Sequence, residues 1–237
     1  MLCSAGCNRS QENDKVMVSA AASLTDVFTA LALAYSQESG KTVSLNFAAS
    51  SVCAQQIEKG FQADLFVSAN AQWTQYLVDK GLTNGKPERL MGNRLVAIKP
   101  SSSGLVAATP QQLAQWCQTV ALGDPSHVPA GMYARQALEQ AGVWSQLQGR
   151  VVGALDVRAA LALVQESAVD CAVVYATDVV GSKGVKVLFE FPVHPESEIA
   201  YWTVILSEGS FPDSRHFLEF IVSAQGRKIL ADHGFAL

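Results

Sequence analysis

The sequence predicts an α/β chain built on mainly parallel sheets flanked by helices. Short apolar runs alternate with longer amphipathic runs from Lys15 to the C-terminus. That alternation implies strands covered on both faces by the helices between them. A length of 237 residues suits one large domain or two lobes. With two lobes the chain must cross between them, and Arg94–Lys99 and Tyr201–Leu206 are long enough to be the crossings. The result is a hinged clamshell with a cleft between its halves. The lobes are then 15–93 with 202–237, and 94–201, preceded by 1–14 as a disordered tail or signal remnant.

Each element has a local cause. A strand at Lys15–Ala20 precedes a helix from Leu24 to near Glu38 that Gly40 stops. Ser23, three residues before Asp26, reads as its N-cap with an acidic first turn. Thr42–Phe47 is a strand, followed by a helix ending at Gly60, and Ala63–Ser68 is a short buried strand. Ala71–Lys80 is helical up to Gly81, and Arg94–Lys99 is a strand before Pro100 and a Ser-rich turn. Thr109-Pro110 is a cap with proline in the first helical position, opening a helix to about Gln115. A strand at Val120–Pro125 leads to a helix from Ala130 to Ala141, and Asp156 caps a helix over Val157–Glu166. Asp170–Tyr175, Val185–Phe189 and Ile199–Leu206 are strands, and Pro212–His233 is helix broken near Gln225-Gly226.

Composition bounds the function. Hydrophobic residues make up 49% and charged residues 16%, enough for a substantial core. A net charge of −4 and a pI near 5.6 argue against a nucleic-acid partner, which needs a basic surface. No apolar run is long enough for a transmembrane helix. Ser4-Ala5-Gly6-Cys7 resembles the end of a bacterial lipoprotein signal, which would make Cys7 a lipidation site. It departs from that pattern at Ser4 and lacks the charged and long apolar parts. Cys3, Cys7, Cys53, Cys117 and Cys171 form no CxxC pair, so neither a metal site nor a disulfide framework is indicated. His127, His194, His216 and His233 have no metal or triad spacing and read as loop or surface residues.

Small hydroxyl residues stand at strand–helix junctions in Ala20-Ala-Ala-Ser-Leu-Thr-Asp-Val-Phe28 and Phe47-Ala-Ala-Ser-Ser51. Two helix N-termini with free hydroxyls and unpaired amides are suited to one anion. Without further context Ser23 and Ser50 read equally as caps, Tyr175 as a core aromatic, and Pro129-Ala130-Gly131 as a turn.

Six blocks in order resemble the periplasmic molybdate-binding proteins of bacterial ABC importers, the ModA family. They are AAASLTDVF at 20–28, FAASS at 47–51, ADLFVSAN at 63–70, GDPSHVPAGMYA at 123–134, DVRAALALV at 156–164 and VVYATDVVGSKGVKV at 173–187. The resemblance implies a two-lobed type II periplasmic binding protein fold. It also implies an interlobe cleft that holds molybdate or tungstate by neutral donors, with no cofactor and no direct metal coordination. The donors are then the hydroxyls of Ser23, Ser50 and Tyr175 and the amides of Ala130 and Val157. The family often carries serine where Ala49 stands, a departure that removes a secondary contact. Further implications are a monomer in the periplasm, anchored or not through Cys7, and a membrane permease as partner.

Hydrogen bonds to a charged acceptor contribute about 1.5–3 kcal/mol each. A handful in a dry cleft supports binding of about −8 to −12 kcal/mol after desolvation and closure. Donors without acceptors favour a fully deprotonated dianion, because a bound O–H would find no partner. Arg158, beside Val157, reads as lying along its helix surface, and Asp64 as structural. The competing readings are a binding protein for sulfate or thiosulfate, a Cys or Ser nucleophile enzyme using Cys53 with His127, and a ligand-sensing domain of a regulator. No GxSxG elbow, zinc motif or P-loop supports the enzyme.

Overall fold

The computed structural model describes residues 15–192, 198–209 and 211–237. Cys3, Cys7 and His194, and with them the proposed lipidation site, lie outside the described residues. The first half of the chain forms β1 (Lys15–Ala21), α1 (Thr25–Ser39), β2 (Thr42–Ala48), α2 (Ser50–Glu58), β3 (Leu65–Ser68), α3 (Ala71–Asp79) and β4 (Thr83–Gly92). Then come β5 (Leu95–Pro100), α4 (Pro110–Trp116), β6 (Val120–Gly123), α5 (Pro129–Gln140), α6 (Trp144–Leu147), β7 (Val151–Ala154) and α7 (Val157–Gln165). The remainder is β8 (Cys171–Tyr175), α8 (Ala176–Val179), β9 (Val185–Glu190), β10 (Ala200–Leu206), α9 (Phe211–Val222) and α10 (Ala224–Asp232).

Two five-stranded sheets result, in the orders β2-β1-β3-β10-β4 and β7-β6-β8-β5-β9. They share one plan. The strand second from one edge, β1 or β6, pairs in parallel with neighbours on both sides. The other two strands of each sheet run antiparallel to what they pair with. The sheets are therefore mixed, with the expected parallel pairing confined to three strands in each. The fold is α/β with two lobes.

The chain passes from the first sheet to the second at Asn93-Arg94, between β4 and β5, and returns between β9 and β10. The strands β5 and β10, expected to be the crossings, each lie wholly within one sheet. The strands β4 and β7 carry no clear sequence signal, because β4 (TNGKPERLMG) is polar and half exposed and β7 has only four residues. The last helix breaks at Ser223 rather than Gln225-Gly226, because the Ser223 Oγ accepts from Gly226 N at 3.2 Å and caps α10.

Packing explains why these elements hold. In the first lobe Phe28, Leu31 and Tyr35 of α1 are buried, and the Phe217 ring meets those of Phe28 and Tyr35 edge-on at 6.4 and 5.1 Å. Gly40 ends α1 with φ of 75°, a conformation that suits a residue without Cβ. In the second lobe Val120, Ala121 and Leu122 of β6 are fully buried between the helices that flank their sheet.

Candidate functional site

In both sheets the parallel strands point their carboxyl ends at the same gap. In open α/β sheets that is where ligands bind. β1 ends just before Ser23, β2 before Ser50, β7 before Val157, and β8 in Tyr175, while β6 leads through a short loop to Ala130. A small cavity is lined by all five, together with Ala21, Ala22, Ala49, Ala69, Val128, Pro129 and Asp156. The five residues expected to bind are thus brought together, and all are buried.

Three helices aim their first turns at this cavity, and their first amides have no partner within the helix. Ser50 opens α2 and Val157 opens α7. In α5 proline occupies the first position and has no N–H, so Ala130 supplies the first amide. Asp156 caps α7 by accepting from Ala159 N at 2.9 Å, as expected, which ties its carboxylate to its own helix. Gly131 lets α5 lie against β6: a Cβ there would run into the Gly123 carbonyl.

Ser23 departs from its expected role. A single 3-10 turn, Ala22–Leu24, precedes α1 and places Ser23 inside it, so Ala21 and Leu24 occupy the cap positions and no side chain caps either helix. The Ser23 hydroxyl instead meets the Tyr201 hydroxyl at 2.8 Å. Ser50 does not cap α2 either. Its Oγ accepts from Ala69 N at 3.0 Å, which leaves its own proton free for the cavity.

Tyr175 carries the most informative atom. Its hydroxyl is buried and has no hydrogen-bond partner. Burial holds this phenol protonated, well above its ordinary pKa, so it is a neutral donor. A native protein rarely leaves such a group unpaired, since the cost is about 1–3 kcal/mol.

The cavity lining contains no Lys, Arg or His. Arg158, expected on the helix surface, is instead folded inward. Its Nε lies 2.7 Å from Oδ1 of the buried Asp178, and its Nη2 donates to Asp26 across the lobes at 2.7 Å. Burial outweighs the attraction of Arg158 and pushes the Asp178 carboxyl up to about 7. Asp178 Oδ2 also accepts from Tyr175 N at 3.2 Å. Among the described residues no cluster of His, Cys, Asp and Glu is arranged to hold a metal ion.

The Cys53–His127 pair is not assembled. Cys53 is fully buried, its thiol turned toward the carbonyls of Ala20 and Ala48, and burial pushes its pKa up. His127 meets Ser51 instead, Nδ1 to Oγ at 3.0 Å, and its carbonyl accepts from Trp73 Nε1 at 3.0 Å. Both contacts join the lobes. Asp64 accepts from Met17 N at 2.7 Å, a structural bond. Sequence reasoning missed Asn93 and Tyr201, which support the site from positions with no motif of their own, and Asp178, which stands inside a quoted block but was given no role there.

The profile of a family described as bacterial extracellular solute-binding protein matches residues 16–236. The chain belongs to that family. A molybdate-binding protein ModA of Escherichia coli K12 is 36% identical over 236 residues, covering 97% of this chain and 92% of its own length. Two solved structures share the fold of this solute-binding protein. The Azotobacter vinelandii periplasmic molybdate-binding protein superposes with a TM-score of 0.83 at 21% identity, covering 94% of this chain and 99% of its own. The sulfate-binding protein SubI of Mycobacterium tuberculosis H37Rv does so with 0.82 at 17% identity, covering 93% and 86%. The fold is thus common to proteins named for different anions, and the lining must make the choice.

Proposed function

We propose that this chain is the solute-binding component of a molybdate or tungstate ABC importer. It holds one tetrahedral dianion through the hydroxyls of Ser23, Ser50 and Tyr175 and the amides of Ala130 and Val157. The observation that carries this reading is the unpartnered Tyr175 hydroxyl in a cavity lined by two serine hydroxyls and three helix starts, whose one carboxylate, Asp156, is tied to its own helix. A dianion completes every one of those bonds. The helix N-termini add partial positive charge without a cation. The 36% identity to a protein named for molybdate supports the choice of anion.

The protein binds and releases its ligand without chemistry, since the thiol and imidazole that could have formed a nucleophilic pair are engaged elsewhere. It acts as a monomer in the periplasm, with Cys7 as the site of a lipid anchor, and delivers the anion to a membrane permease. No cofactor takes part. The two lobes, with all of β10 in the first, open by a hinge at Asn93-Arg94, where the chain passes between the sheets. Opening breaks the contacts of His127 with Ser51 and Trp73, and of Arg158 with Asp26.

Isothermal titration with molybdate, tungstate, sulfate and thiosulfate tests the reading. Micromolar or tighter binding of the two larger anions, with sulfate far weaker, is expected. Preferential binding of sulfate would move the function to a different anion on the same fold.

A further inference from the structure

A chain of hydrogen bonds runs from the hinge to one serine of the cleft. Asn93 sits in the passage between the sheets, and its Oδ1 accepts from Arg94 N at 2.8 Å. That bond sets the orientation of the amide, so its NH2 faces inward. The NH2 group donates to Thr177 Oγ1 in the second lobe at 2.8 Å and to the Tyr201 hydroxyl oxygen in the first at 3.2 Å. An amide NH2 cannot accept. The Tyr201 oxygen therefore accepts from Asn93, and among the described contacts Ser23 Oγ, at 2.8 Å, is the acceptor within reach of its single proton. Burial raises the Tyr201 pKa far above its ordinary range, so that proton is always present. Ser23 then accepts from Tyr201, and its own proton is directed to the cavity.

The opposite polarity is chemically available to the same atoms. Were Ser23 to donate to Tyr201, it would turn lone pairs toward an anion. We propose that Asn93 and Tyr201 are positioning residues that hold Ser23 as a donor, so that the hinge residue sets the charge preference of the cleft. This rests on the proposed anion site. Ser50 has its polarity fixed by a backbone amide instead, so only the Ser23 side depends on replaceable side chains.

The test is a double-mutant cycle read by isothermal titration with molybdate, with thermal unfolding to follow the fold. Tyr201→Phe should weaken binding about tenfold in the wild-type background. In a Ser23→Ala background it should change the affinity no further, since Tyr201 acts through Ser23. Asn93→Asp keeps the shape but can only accept. It takes the Tyr201 proton, reverses the chain, and should weaken binding about a hundredfold. Wild-type affinity in Tyr201→Phe, or an equal loss with and without Ser23, overturns the proposal while leaving the function intact. Wild-type affinity in a folded Asn93→Asp does the same. A wild-type chain that binds none of the anions overturns the functional reading and this one with it.

Discussion

The first sheet brings serines to its cleft edge; the second brings helix starts whose donors are mostly peptide N–H groups. Both sheets place three parallel strands toward the same cavity. At the ends of β1 and β2 stand Ser23 and Ser50, while β6 and β7 lead to Ala130 and Val157, and only Tyr175 adds a side-chain donor from that side. The difference teaches where each half can fail. A hydroxyl is lost with its side chain. An amide survives every substitution except one that moves the backbone or puts proline there.

The largest effect should therefore come from the backbone of the second half. Gly131→Ala drives a methyl into the Gly123 carbonyl and forces α5 away from β6. We expect a loss of about 3 kcal/mol in stability and loss of molybdate binding. Denaturant unfolding and titration on one preparation measure both. Unchanged binding would mean that the Ala130 amide is not part of the site.

In the first half, Ser50→Ala removes one donor and also leaves Ala69 N–H buried without its acceptor. Affinity should fall about ten- to a hundredfold and stability by about 1–3 kcal/mol. If binding survives while stability drops, Ser50 is structural only.

How much of this contrast the sequence displayed follows from its physical carriers. Hydroxyls at strand–helix junctions are visible as residues, and Asp156 and Pro110 announce their helices through capping chemistry. The amides of Ala130 and Val157 are visible only as helix starts, and the resemblance was needed to nominate them. Asn93 and Tyr201 stayed hidden because they reach the site through space, with Tyr201 178 positions from Ser23, whereas Asp178 stands three residues from Tyr175 and is silent because nothing in the sequence shows its burial. Ser23 was misread as a cap because a 3-10 turn and an N-cap share the same local residue preferences, and only its partner on β10 distinguishes them.

Charge near the cleft also belongs to the second half. Asp178 keeps its proton up to about pH 7 in the folded chain, whereas an unfolded aspartate releases it near pH 4. Between those values the native state binds more protons, so stability should fall as pH rises, by at most about 1.4 kcal/mol per pH unit. Asp178→Asn should flatten that slope, as urea unfolding from pH 4.5 to 7.5 would reveal. An identical slope in the variant would assign the titration to another group.

Tyr175→Phe separates the stability of the cleft from its function. The unpaired hydroxyl costs stability in the empty protein, so the variant should be equally stable or gain about 1 kcal/mol. Molybdate should bind about tenfold more weakly. A destabilised variant would show that the hydroxyl has a partner in solution.

The smallest effect should come from the charged pair that joins the halves at the rim. Arg158 reaches Asp26 across the gap, and that carboxylate is well exposed. An exposed pair is worth about 0–1 kcal/mol and is screened by salt. Asp26→Asn leaves Arg158 paired with Asp178, so no cation is stranded next to the anion. The affinity for molybdate should change less than about fivefold, with the difference from wild type vanishing at high salt. A loss as large as that in Ser50→Ala would mean that closure is held by the rim rather than by the ligand. The five donors would then matter less than one bridge, and the contrast between hydroxyl and amide halves would no longer govern affinity.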